Sequence, residues 1–215
     1  MALPDKLTAK YFRKYRFDVA TVIDVGVQSG TPFLYEAFPQ AHFLLLDPDP
    51  TFPARISAMW GDRLRYDARV AAVSSQAGSI MMNVMDDHPN LGSVNTRLDV
   101  AEGTRAVEVD CVTLDTVTSD LAGPLGLKID TEGHELEVLK GATETLTRCA
   151  FVIAEVSIKK RFAGGYRFSE VIAFMASQGF EVHSFLSGLT RAPRMSDVLF
   201  VPADSPRFDM IARDL

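Results

Sequence analysis

The segment Leu127-Lys128-Ile129-Asp130-Thr131-Glu132-Gly133-His134-Glu135, continuing through Leu136-Glu137-Val138-Leu139-Lys140-Gly141-Ala142, restricts the fold more than any other stretch of this chain. An apolar run stops at Asp130 and helical periodicity resumes near His134. Asp130, Glu132 and His134 therefore gather at the carboxyl end of a strand, where open α/β sheets bind ligands. Gly133 permits the sharp strand-to-helix turn, and Glu135 and Glu137 fall in the first helical turn, where carboxylates suit the positive end of the dipole. Leu136, Leu139, Ala142 and Leu146 recur at helical spacing and predict an apolar face lying on a sheet.

With 215 residues, 47% hydrophobic and 23% charged, the chain can bury one sizeable core. The expectation is a single domain over 1–215, with a helical extension over 1–18 and a core over 19–202. A net charge of −6 argues against a general nucleic-acid binder, which wants a basic surface, but leaves acidic substrates open. Cys111 and Cys149 show no metal-ligand spacing and read as small core residues. The amino-terminal residues lack the apolar run of a signal peptide, and no stretch reaches transmembrane length, so a cytoplasmic protein without a membrane partner is expected.

Along the chain, apolar strand patterns alternate with helical ones, which implies a mostly parallel sheet covered on both faces. Strands are expected at Thr21–Val25, His42–Leu46, Leu64–Val73, Ala106–Val112, Phe151–Val156, Glu181–Leu186 and Val198–Val201, with Ile80–Val84 extending the third across a turn at Gly78. Helices are expected near Asp5–Tyr15, up to Phe38, over Phe52–Trp60, over Leu114–Leu121 and over Ser169–Gln178, the last with Ser169 as N-cap and Gly179 as its stop. The polar residues from Asp86 to Thr104, including His88, form the longest irregular stretch.

The run Asp24-Val25-Gly26-Val27-Gln28-Ser29-Gly30 follows a buried strand and precedes a helix, a setting in which glycines let the backbone approach a ligand. Asp47, about twenty residues downstream, is placed to accept hydrogen bonds from ribose hydroxyls. These features alone fit a dinucleotide or an adenosyl cofactor. Taken with Leu46-Asp47-Pro48-Asp49-Pro50 and the block from Lys128 to Ala142, they resemble the FkbM family of S-adenosylmethionine-dependent methyltransferases, from about Thr21 to Val201.

The resemblance implies the class I methyltransferase fold, Rossmann-like, with a seven-stranded, mostly parallel sheet whose last strand is antiparallel. It implies S-adenosyl-L-methionine as cofactor, with Gly26, Gln28 and Gly30 around the methionine moiety, Asp24 near its amino group, Asp47 at the ribose and Val73 bordering the adenine. The family usually has Ala-Asn at Val27-Gln28 and Glu at Asp47. The longer amide stem and shorter carboxylate stem shift the geometry without removing the chemistry.

Methyl transfer mainly requires alignment of donor and acceptor and exclusion of water, and a hydroxyl acceptor must also lose its proton. Asp130, Glu132 and His134 are the candidate catalytic residues, in an O-methyltransferase acting on a sugar or secondary metabolite. The same three groups would suit magnesium or calcium, but no second ligand cluster accompanies them and no metal is predicted. Glu155 reads as a fourth polar wall or a buried acid bonded to a turn. Lys159-Lys160-Arg161 reads as solvated surface, with an anionic acceptor as the alternative; Tyr166 and Phe168 read as packing for the next helix. The rival functions are a nicotinamide-dependent oxidoreductase, disfavoured because G-x-G-x-x-G is missing, and a cofactor-binding protein without turnover.

Overall fold

A computed structural model describes residues 6–85, 92–98, 104–187 and 193–210. Seven strands form the main sheet: β1 (Thr21–Val25), β2 (His42–Asp47), β3 (Tyr66–Val70), β4 (Leu125–Ile129), β5 (Cys149–Ser157), β6 (Phe180–Phe185) and β7 (Met195–Pro202). Their spatial order is β6-β7-β5-β4-β1-β2-β3. All pairs from β5 to β3 are parallel, while β7 runs antiparallel to both β5 and β6. This is the mostly parallel sheet with an antiparallel last strand that the resemblance implied.

Successive side chains of a strand point to opposite faces, and here both faces are covered. Val22, Phe43 and Leu45 pack with Phe12 of α1 (Ala9–Lys14), Leu34 of α2 (Pro32–Ala37) and Ile56 of α3 (Phe52–Met59). Ile23, Leu44 and Leu127 pack on the other face, with Val138 and Leu139 of α5 (Glu135–Lys140) and Val171 and Met175 of α7 (Phe168–Ser177). The short helix α4 (Leu114–Thr118) precedes β4, and α6 (Thr143–Leu146) follows α5 and packs on α4. Every residue of β1 and β4 is buried, which explains their near-continuous apolar sequence. Both cysteines are buried and free, as expected.

The third strand is shorter than its sequence suggests. It ends at Val70, and Ala72–Val73 leaves the main sheet to join a four-stranded sheet with Thr104–Val112, Gly78–Met85 and Gly92–Ser93. As an edge strand paired only with β2, β3 has no second neighbour to hold its continuation in plane. Ile80–Val84 and Ala106–Val112 thus belong to a second sheet and pair with each other antiparallel.

Helix α7 begins at Phe168 with Arg167, not Ser169, at its N-cap, because Glu170 folds back to accept the Arg167 amide at 2.6 Å. Gly179, at φ +81°, ends it as expected. Within the expected irregular stretch, Thr96–Arg97 pairs antiparallel with Phe162–Ala163; His88 lies outside the described residues. Among the described residues no helix is long and apolar enough to cross a membrane.

Candidate active site

The carboxyl ends of β1, β2 and β4 border a cleft, and the small sheet closes it from the side. Gly26, Gln28, Asp47, Val73, Asp130, Glu132 and His134 line it together, with Thr131 and Met82. Gly26 sits at φ +78°, and a Cβ there would lie 1.8 Å from the Asp130 carbonyl oxygen. The glycine is therefore required by the contact between two strand ends, whatever the cleft holds.

On the β1–β2 side, Asp47 is buried and accepts the Gln28 amide at 2.8 Å through Oδ2 and the Asp49 amide at 2.9 Å through Oδ1. Burial pushes its pKa up while these amides pull it down, and the net shift is upward. Gln28 adopts φ +47°, and its carbonyl accepts two bonds from the Arg55 guanidinium. Each carboxylate oxygen of Asp47 retains a second lone pair, so the group can still accept from a hydroxyl in the cleft.

Asp24 and Gly30 stand apart from the other cofactor candidates, since neither lines this cleft. Asp24 is fully buried behind it; Tyr35 donates its hydroxyl to Oδ2 at 2.9 Å, and Oδ1 has no hydrogen-bond partner. Gly30, at φ +104°, faces Tyr35, Trp60 and Ile56, with a Cβ only 2.9 Å from the Tyr35 ring. Its immediate role is to let α2 and α3 pack closely.

On the β4 side, the turn after Ile129 is held from within by Glu135. This fully buried carboxylate accepts the Thr131 and Gly133 amides, both at 3.0 Å, through Oε1, and the Tyr166 hydroxyl through Oε2. Burial raises its pKa, opposed by those bonds. It sits in the first turn of α5, as its position in the sequence implies, and also folds back to organise the turn. From outside, Ser93 Oγ donates to the Glu132 carbonyl at 2.6 Å and Asn95 Nδ2 to the Gly133 carbonyl at 2.7 Å. Glu132 and Gly133 both adopt positive φ, and a Cβ on Gly133 would lie 2.3 Å from the Phe162 ring.

The three catalytic candidates meet different surroundings. Asp130 accepts from Lys128 Nζ at 3.0 Å with its own side chain 33% exposed. Burial would lower the Lys128 pKa, but Asp130 and Asp24 outweigh it and hold the ammonium charged. Glu132 Oε2 accepts from Arg161 Nη2 at 2.9 Å, and Arg161 Nη1 donates to Glu155 Oε2 at 3.1 Å. His134 is buried, its Nε2 lies 2.8 Å from Ser74 Oγ, and burial holds its pKa below the usual imidazole value.

Arg161 is thus a buried bridge rather than solvated surface, while Lys159 and Lys160 are exposed. Oxygens of Asp130, Glu132 and Glu155 lie within 4.8 Å of one another, a spacing that could hold a cation. The Arg161 guanidinium already supplies positive charge to two of them. Burial, with Asp130 and Glu132 nearby, pushes the Glu155 pKa up to about 8. Sequence reasoning missed Arg161, which joins Glu155, six positions away, to Glu132, 29 positions away. Lys128 carried a readable signal, because a lysine inside an otherwise apolar buried strand needs a buried acid.

A methyltransferase FkbM domain matches residues 24–182. The chain belongs to the FkbM methyltransferase family. Its sheet is that of class I methyltransferases. This FkbM methyltransferase superposes on magnesium protoporphyrin IX methyltransferase of Synechocystis with bound S-adenosylmethionine at a TM-score of 0.50, with 10% identity, over 90% of this chain and 76% of that one. It superposes on fibrillarin of Aeropyrum pernix with natively bound S-adenosyl-L-methionine at 0.50, with 9% identity, over 88% and 76%. At these identities the likeness is one of fold. A hexuronic acid methyltransferase, AglP of Haloferax volcanii, is 41% identical over a stretch covering 26% of this chain and 27% of that protein. The chain therefore matches about a quarter of that relative's length.

Proposed function

We propose that this enzyme methylates a hydroxyl of a sugar. The observation that carries the reading is the placement of Asp130, the most open of the three polar side chains, at the edge of the cleft that also contains Gly26 and Asp47. The stretch shared with a hexuronic acid methyltransferase supports a sugar as acceptor. Bound S-adenosyl-L-methionine supplies an electrophilic methyl group on a sulfonium. Asp47 accepts from the ribose hydroxyls, Gly26, Gln28 and Gly30 shape the loop around the methionine moiety, and the buried Asp24, bonded to Tyr35, supports that loop from behind. Val73 forms part of the adenine wall.

Asp130 takes the proton from the acceptor hydroxyl, while Lys128, 3.0 Å away, holds the carboxylate in position. Glu132, fixed by Arg161, accepts a second hydrogen bond that orients the same acceptor. His134, neutral and bonded to Ser74, is a wall of the cleft. Asp130→Asn should reduce kcat by about a hundredfold or more while S-adenosylhomocysteine affinity, measured by calorimetry, stays within about twofold. Unchanged turnover would remove Asp130 from the chemistry.

A further inference from the structure

A groove opens beside the β4 turn, lined by Ser157, Lys159, Lys160, Tyr166, Arg167 and Phe168. It shares Gly165 and Tyr166 with a depression that runs along Gly133 and His134, and His134 in turn lines the main cleft. The groove thus adjoins, through that depression and His134, the cleft in which the acceptor hydroxyl is proposed to react.

Its chemistry favours an anion. Lys159, Lys160 and Arg167 are exposed, and among the described residues neither lysine ammonium pairs with a carboxylate. Glu170, the acid on the same groove, already accepts the Arg167 amide. The groove also meets the start of α7, whose ten residues follow Arg167 at the N-cap. Serine, threonine, aspartate or asparagine normally stands there and accepts from the first-turn amides. An arginine accepts nothing and adds positive charge to the positive end of the dipole. The Glu170 amide is met by the Arg167 carbonyl at 2.9 Å, and a helix start that breaks its local rule in this way leaves positive charge for something from outside. Independently, Ser157 is only 6% exposed, lines the groove, and its hydroxyl has no hydrogen-bond partner.

We propose that this groove binds the carboxylate of an acidic sugar, so that the hydroxyl to be methylated is held toward Asp130. Tyr166 and Phe168 offer aromatic faces to the sugar ring, and the Arg167 fork matches a planar carboxylate. The assignment rests on the sugar-methylating reading above and names its substrate class.

The test reads binding without turnover, by calorimetry on the S-adenosylhomocysteine-loaded protein. The probes are methyl glucuronide, methyl glucoside and glucose 6-phosphate. The glucuronide should bind at least about tenfold more tightly than the glucoside. Lys159→Gln, Lys160→Gln and Arg167→Ser together should abolish that preference while S-adenosylhomocysteine binds as before. Arg167→Ser alone, which supplies a proper helix cap, should keep the fold and weaken the glucuronide selectively. Equal affinity for glucuronide and glucoside overturns the proposal, as does a preference that survives the triple substitution. Tighter binding of glucose 6-phosphate than of the glucuronide assigns the groove to phosphate and overturns the carboxylate. Failure of the sugar-methylating reading shows separately, as absent methyl transfer to either sugar by a protein that still discriminates between them.

Discussion

The two sides of the cleft are held by different kinds of bond. Beside β1 and β2, backbone amides clasp a single carboxylate, Asp47, from residues 19 and 2 positions away. Beside β4 and β5, side-chain charges hold one another: Lys128 with Asp130, and Arg161 between Glu132 and Glu155, the Arg161–Glu132 link crossing 29 positions. Amide clasps are set by the path of the chain and tolerate a change of charge nearby. A buried charge network has no such tolerance, because removing one member leaves the others unpaired in a poorly solvated place.

The contrast can be broken most severely where the sides touch. Gly26→Ala should cost at least about 4 kcal/mol in urea unfolding, since the new Cβ would overlap the Asp130 carbonyl at a positive φ. A loss under about 1 kcal/mol would mean the strand ends separate easily. Arg161→Met should cost about 3 kcal/mol by the same measurement, because Glu132 loses its guanidinium and Glu155 its hydrogen-bond donor.

Asp47→Ala should weaken S-adenosylhomocysteine by about thirtyfold, roughly 2 kcal/mol, with a smaller effect on the acceptor side. The finest discrimination comes from pH. Glu155 binds its proton up to about pH 8 in the folded protein but only to its ordinary value of 4.5 when unfolded. Its contribution to stability is therefore complete below about pH 4.5 and is lost as pH rises through about 8. The wild-type stability advantage over Glu155→Gln should decline across that window; an advantage that grows with pH would show that Glu155 is ionised in the folded state.

The same contrast separates what the sequence reveals from what it conceals. Thr21–Val25 and His42–Asp47 are legible because full burial demands continuous apolar runs, and the turn at Asp130 because helical periodicity restarts after it. Ala72–Val73 is misread as part of β3 because leaving an edge strand changes the partner, not the composition. The cleft residues Gly26, Gln28 and Asp47 are bound locally and could be found locally. Arg161 sits beside Lys159 and Lys160 in sequence, yet it is buried against Glu155 of β5 and Glu132 of the turn after β4. No periodicity carries that information.

The ring of Phe162 resting on Gly133 gives the acceptor pocket a mechanical dependence on a residue with no side chain. A methyl group at position 133 would push the ring away and carry the adjoining Arg161 with it. The electrostatic character of the pocket could then change while every ionisable residue stayed in place. Within this architecture, new acceptor preferences are accessible through shape alone, and an inventory of charged positions would not register the change.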